Sequence, residues 1–554
     1  MFSVEQLLRD QSEALSQRSG HDRNWQEVAR YCLPSDAVFS GANSSPGNAR
    51  NDGLYDDYGL LALSRGVATF TGLVMPRGSR WQILSAADPE LMKLRHVAAW
   101  FEQKTQRLFD LRNDPESGFV QQSDLSVSRL MGLGNQSMWV DVRRDHNGLP
   151  IGLSYQSEPL HEITIGCNAE GRVSTTRREF VLTAENAVRK YGEAALRRAG
   201  AIKVLNRAQD PKRRNDKMKF LNVIMPNDRI DEDRLDWRGK PMIGITISME
   251  DKVEIERGGY RSAPRTYSRF RQSANEDYGR GRGVDALPAL RGMQALQVDI
   301  MVAGEMAAQP MLGAPDDGLD GGMKYGPREV VYGAIDHQGN KLVQPIMEAI
   351  DPTSLHVIQR ALHDRIDQYF YTDMQLAGTD AKSHVSATYW LQVAEEKGIL
   401  LAPLAMQESE WFSPMLNREI DCMAQMGEFD DMPDEVEEAG GEKLVRYANP
   451  LARLQEAEGA GGFFRTLEQI APLAQVQPDV IDQFLAEYPT ERFLPELARI
   501  NGVPATWRAT DEERKASADQ KVEQAQIQQL TQVLPMIGKT ANDLTAAEGN
   551  LSAI

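Results

Sequence analysis

Residues 286–308 read ALPALRGMQALQVDIMVAGEMAA, and this stretch decides the fold. Ala286, Ala289, Met293, Leu296, Ile300, Ala303 and Ala307 recur at spacings of three and four, the seam of a long helix. Only Arg291, Asp299 and Glu305 are charged, so the helix wants neighbours on more than one side, and its small residues permit close approach. A second helix is expected from Asp351-Pro352, an N-cap followed by proline at the first helical position. Its apolar face is Leu355, Ile358, Leu362 and Ile366. Between the two helices lies a glycine-rich segment with two short β runs, 329–335 and 341–346, joined near Gln338-Gly339-Asn340. The pattern is helix, compact β insert, helix.

Working outward, residues 375–384 form a short polar loop containing Thr379, Lys382, Ser383 and His384. Helices follow to Gly427, then an acidic segment, 428–442, with the composition of an exposed linker, and a strand at 444–450. Broken helical segments run to 498, and a Gln-rich helix is expected at 511–534.

Upstream, the first ~130 residues read as helices. Asp22 is a candidate N-cap for a helix ended by Pro34; a polar loop follows at 35–53. Helical periodicity returns from Leu60 to Pro76 and again at 89–111, with Leu94, Val97, Phe101 and Leu108 on one face. The period then changes to two. Strands 138–142 and 151–155 flank Asn147-Gly148, a hairpin dipeptide tolerant of positive φ at both positions. Further strands are expected at 163–165, 172–174, 220–224 and 243–247, interrupted by one helix at 184–198. The fold class is α+β, mainly helical, without βαβ alternation.

The 554 residues imply three to five structural units. Lys plus Arg is 62 against 80 Asp plus Glu, a formal charge of −18, which disfavours a simple DNA-coating protein but does not exclude one that lets DNA pass without gripping it; both readings stay open. The 41% hydrophobic content is that of a globular chain. No run is long enough to span a bilayer, and no secretory signal is visible at Met1. Cys32, Cys167 and Cys422 are too scattered for a disulfide framework, which fits a soluble chain in a reducing compartment.

Catalytic signatures fail on inspection. Gly538-Lys539-Thr540 has Val533 where a phosphate loop needs glycine, and a helical context. Gly279-Arg280-Gly281-Arg282-Gly283 lacks nucleotide-fingerprint spacing and reads as a flexible lead-in to the following helix. His161-Glu162 has no second histidine at helical spacing, and His356 with His363 reads as a surface or interface pair. No catalytic residue, metal site or cofactor is expected. Residues 189–219 hold eleven Lys or Arg against three acids; a solvated helix and loop is the ordinary reading, phosphate contact the alternative.

Order and spacing of particular residues resemble a known family. They are Trp25, Tyr31 and Pro34; Leu73, Pro76 and Trp81; Arg178-Glu179-Phe180 with Thr183; and Tyr278-Gly279-Arg280-Gly281. Val385-Ser386-Ala387-Thr388 and Tyr447 with Pro450-Leu451-Ala452 complete the set. The chain resembles the head-to-tail connector, or portal, proteins of short-tailed bacteriophages over roughly residues 20–455. It departs from them at Arg282, often proline there, and at Tyr389, often an acid.

The resemblance implies a portal-type subunit. It would comprise a wing (1–285), first stem helix (286–308), clip (309–350), second stem helix (351–371), tunnel loop (372–385), wing return helices with the acidic linker (386–453), and a helical crown with tail (454–554). It implies a ring of twelve at a capsid vertex, a channel for double-stranded DNA, and docking of a large terminase ATPase, a tail adaptor, capsid and scaffolding proteins. The place of action would be the virion, after assembly in the host cytoplasm. Thr379, Lys382, Ser383 and His384 would face DNA. Ala289, Met293, Leu296, Ile300, Ala303 and Ala307, with Leu355, Ile358 and Leu362, would pack against neighbouring copies. A non-enzymatic tail adaptor or scaffold ring protein is the alternative.

Overall fold

The computed structural model describes residues 3–439 apart from 40–49, 51–52, 78–79, 89, 232, 309–311, 314–334, 336–337, 346–351 and 373–406. Beyond these it describes 443–447 and the single positions 466, 487 and 513. The expected loop at 375–384 and the helices and tail beyond 450 lie outside the described residues. The chain divides into two units: residues 1–81 with 108–430 and 449–451, and residues 82–107 with 431–448 and 452–554. The fold is α+β, and every described strand pair is antiparallel.

The first unit begins with α1 (Val4–Cys32), 29 residues capped by the Ser3 hydroxyl. Asp22 is therefore not a cap. It lies inside the helix and pairs with Arg18 one turn back, at 2.9 Å. After α2 (Tyr58–Val74) and, beyond the second unit's insertion, α4 (Phe119–Leu133), the chain enters two sheets. Strands β2 (Asn135–Arg144), β3 (Pro150–Ser157) and β9 (Arg265–Arg269) form one, in the order β3-β2-β9. The β2–β3 turn is the expected hairpin, but only Gly148 takes positive φ (83°). The Asp145 carboxylate accepts from the Asn147 and Leu149 amides and holds a longer turn, with a register shift at Arg143/Arg144.

The second sheet is β4 (Ile163–Cys167), β5 (Val173–Thr183), β6 (Lys217–Pro226), β7 (Met242–Ser248) and β8 (Val253–Tyr260), in sequential order. Strand alternation explains its two cores. Met218 and Phe220 bury against Ala184, Ala187, Leu196 and Val204. Leu221, Val223 and Met225, on the other face, bury with Leu7 of α1 and Ile243, Ile245 and Ile247. The single helix expected at 184–198 is two, α5 (Ala184–Tyr191) and α6 (Glu193–Ala199), because Gly192 takes φ 83° and breaks it; α7 (Ile202–Gln209) follows.

In the second unit, β1 (Gln82–Ala86) pairs antiparallel with β12 (Lys443–Tyr447), the strand expected near 444–450. Helix α3 (Arg95–Asn113), whose residues up to Arg107 belong here, buries Val97, Trp100 and Phe101, while Leu94 stops short of it and is exposed. The acidic segment is not a plain exposed linker. Asp431 takes an ion pair from Lys104 (2.7 Å) and a hydrogen bond from Trp100 (3.3 Å), and Val436 of the short helix α11 (Asp434–Glu438) is buried.

Candidate functional site

The decisive stretch is α8 (Arg282–Ala308), 27 residues and ~40 Å long at 1.5 Å per residue, packed against α9 (Pro352–Phe370). Between them, β10 (Leu312–Gly313) pairs with β11 (Gln344–Pro345), and Ile335 bridges Lys341 around Gly339 at φ 84°. The expected turn is there. The pairing of residues 312–313 was not read from the sequence, because two residues carry no period.

The base of the helix pair is locked into the first unit. Ala286, Leu287, Ala289, Leu290 and Met293 are buried within their own chain, where α8 packs on α1 and α4. The Gln294 side chain accepts from the Tyr55 (2.8 Å) and Asp56 (3.1 Å) amides and donates to the Asp56 carbonyl (2.6 Å). On α9, the His363 ring stacks on Tyr58 at 3.6 Å, and the Tyr58 hydroxyl donates to Asp367 at 2.5 Å. Arg282 donates to the Tyr371 hydroxyl at 2.8 Å, just past the end of α9.

The lead-in to α8 is not flexible. Gly279, Gly281 and Gly283 lie against the backbone of Gly132 and Gly134, so close that a Cβ at any of the three would overlap main-chain atoms. Gly134 ends α4 at φ 90°, a conformation suited to glycine. Asn135 then grips Gly279 twice, donating to its carbonyl at 2.9 Å and accepting from its amide at 2.8 Å. The signal was present as alternating glycines in 279–283. What was missing was their partner 145 residues upstream.

The far end of the pair differs. Met301, Val302 and Met306 on α8, with Val357 and Ile358 on α9, are between 42% and 67% exposed. Of the expected packing residues, Ala289 and Met293 are therefore consumed inside the subunit, as is Ala303 at 6% exposure. Leu296, Ile300, Leu355 and Leu362 are half-buried, and Ala307 and Ile358 are exposed. Thr379, Lys382, Ser383 and His384 lie outside the described residues.

Buried arginines tie the returning chain to the body, a role composition alone does not announce. The π-helical turn Glu408–Phe412 and helix α10 (Ser413–Gln425) carry three acceptors or donors for them. Arg269 pairs with Glu410 (2.6 Å), Arg418 with Asp141 (2.8 Å), and Arg112 with Glu419 through two bonds of 2.9 and 2.5 Å. The Arg112 guanidinium sits over Trp81 (4.8 Å), Phe109 (5.1 Å) and Phe119 (5.6 Å). Tyr155 also donates to Glu419, at 2.5 Å. Burial, reinforced by that carboxylate, raises the Tyr155 phenol well above its ordinary value, so it stays a donor. A second buried cluster joins Glu158 to Arg265 (2.6 Å) and Arg178 (3.0 Å). Burial alone would raise the Glu158 acid, but the two guanidiniums hold it below its ordinary range.

Chemically, these groups hold and position. Burial pushes the Cys32 and Cys422 thiols up to about 12, leaving them protonated. Among the described residues, no group of three or more His, Cys, Asp or Glu is arranged to hold a metal ion, and no helix is long and apolar enough to cross a membrane.

Known proteins similar to this chain include two phage portal proteins. The portal protein of Salmonella phage epsilon15 is 22% identical over 544 residues, covering 95% of this chain and 92% of that protein. The probable portal protein of Bordetella phage BPP-1 is 22% identical over 548 residues, covering 94% and 92%. A chain from the virion of a native gene transfer agent particle aligns at 12% identity over 74% of this chain and 95% of its own, with a TM-score of 0.32. The family described as bacteriophage head to tail connecting protein matches residues 5–508, and the chain belongs to that family.

Proposed function

We propose that this chain is the portal subunit of a phage virion, a non-enzymatic head–tail connector. Twelve copies close into a ring at one capsid vertex, and double-stranded DNA passes through it during packaging and ejection. The family match over residues 5–508 supports the connector role. The observation that favours a ring is the helix pair: its base is locked by buried contacts, while its far end leaves Met301, Val302, Met306, Val357 and Ile358 uncovered. Closed cyclic symmetry gives each copy two neighbours to cover such a surface.

Contacts between copies then fall on the far half of the pair, including Ala307 and Ile358, rather than on Ala289 and Met293. In this reading 282–308 and 352–370 are the stem and 309–350 the clip. Residues 372–385 line the channel, with Thr379, Lys382, Ser383 and His384 beside DNA. The net charge of −18 per copy favours sliding over adhesion. A terminase ATPase supplies the packaging work, and a tail adaptor, capsid and scaffolding proteins dock on the ring, which assembles in the host cytoplasm.

End-on electron micrographs of the purified full-length chain test this. Twelvefold rings are expected. The double variant Val302→Asp, Met306→Asp should remain folded but fail to close. A wild-type chain that stays monomeric at high concentration would refute the proposal.

A further inference from the structure

The acidic chain contains one strongly basic lobe. Residues 184–219, α5 to the start of β6, hold eleven Lys or Arg against four acids, a net +7, so the remainder of the chain carries −25. The fold gathers most of these charges onto the packed α5–α7 helices and the 210–216 turn, while Lys217 and Lys219 of β6 take the sheet face opposite Met218 and Phe220. Ala184 and Glu185 donate from their amides to the carbonyls of Asp216 (3.1 Å) and Arg214 (3.0 Å), which sets the 210–216 turn beside the start of α5. Gln209 at the end of α7 reaches Glu193 at the start of α6, 3.4 Å away. Lys217 stands opposite Thr183, the residue capping α5. The apolar sides of these helices are committed inward, with Ala184, Ala187, Leu196, Ala201 and Val204 fully buried.

Part of the charge is answered locally. Arg189 meets Glu185 (2.8 Å), Arg197 meets Glu193 (2.7 Å), Arg207 meets Glu250 (2.9 Å), Arg213 meets Asp216 (3.1 Å) and Lys219 meets Glu179 (2.8 Å). Most of these are exposed pairs, loose enough to exchange a carboxylate for another anion. Arg198, Lys212 and Lys217 are exposed, and their side chains form no ion pair among the described residues. Fixed, partly unneutralised cations spaced over several short elements suit an extended polyanion. Ile202, 62% exposed at the start of α7, is the one large apolar side chain exposed among the described residues of the lobe, too little for the apolar centre around which a protein–protein interface is built.

We propose that this lobe binds the phosphate backbone of double-stranded DNA, without sequence preference, at a site separate from residues 372–385. The inference rests on the portal reading only for the identity of the polyanion. The charge surface itself does not depend on that reading. DNA held here would be a stretch lying against the ring rather than the stretch in transit.

The test uses the full-length assembled protein and a fluorescent 30-base-pair duplex, with anisotropy followed between 50 and 200 mM salt. Wild type should bind with an affinity that falls steeply as salt rises. The double variant Arg198→Glu, Lys212→Glu should weaken binding at least tenfold and flatten the log–log salt slope by ~2, about 0.9 per lost phosphate contact. Circular dichroism and micrographs of the same preparation check that the variant folds and forms rings. Rings with unchanged DNA binding in the variant overturn the lobe proposal and leave the portal reading intact. Absence of rings in the wild type overturns the portal reading instead. Equal binding of poly-glutamate and duplex at matched charge and salt overturns the choice of DNA in favour of an acidic polypeptide.

Discussion

Replacing Gly134 by Ala places one carbon where two glycine-bearing segments of main chain cross. Two costs follow from the geometry. At φ 90° an L-residue is strained, by about 1–2 kcal/mol. The new Cβ also overlaps main-chain atoms of Gly279, Arg280 and Gly281, which cannot rotate away as a side chain would. Relieving such overlap by moving backbone costs about 1–3 kcal/mol. Together the loss is about 2–5 kcal/mol, and its structural consequence is a displaced start to α8. Gly20→Ala is the matched control: Gly20 lies inside α1 with nothing within 4 Å of its Cβ position, so the same change should stabilise by about 0.5–1 kcal/mol. Urea unfolding followed by tryptophan fluorescence measures both. Gly134→Ala within about 0.5 kcal/mol of wild type would refute the claim that the glycine crossing anchors the helix pair.

The other expectations are briefer. Glu419→Gln leaves the Arg112 guanidinium buried without its counter-charge and should destabilise the first unit by about 3–5 kcal/mol, read in the same unfolding assay. Glu158 is held below its ordinary acid range in the folded state, so its contribution is complete above about pH 4.5 and lost as pH falls through the depressed value. Glu158→Gln should therefore show less loss of stability between pH 5 and about 3 than wild type, although it starts from a lower plateau. Lys382→Ala should alter DNA retention in packaging assays without dispersing the rings; failure to assemble would make the residue structural.

What was legible in the sequence was periodic. Residues 286–308 repeat at three and four, the β6 run 220–224 is apolar but for Asn222 because both its faces are covered, and the turn at Asn147-Gly148 closes a hairpin. What escaped was whatever depends on a distant partner. Gly281 reads as flexible until Gly134 is laid against it, and nothing in the sequence singles out Glu419 until Arg112 and Tyr155 close on it. Ala289 and Met293 satisfied the seam pattern yet bury within their own chain, because period reports which side of a helix is apolar and not whose surface covers it. Gly192 shows the local version: its positive φ divides a segment whose composition reads as one helix.

Tyr371 and Gln407 stand on either side of residues 373–406, and both fasten to the same short span of chain. Tyr371 accepts from Arg282, and Gln407 donates to the carbonyl of Arg269 at 2.7 Å, thirteen positions earlier. Both edges of that interval are therefore held by the single span 269–282, so a substitution that loosens this span frees the chain on either side of the interval together.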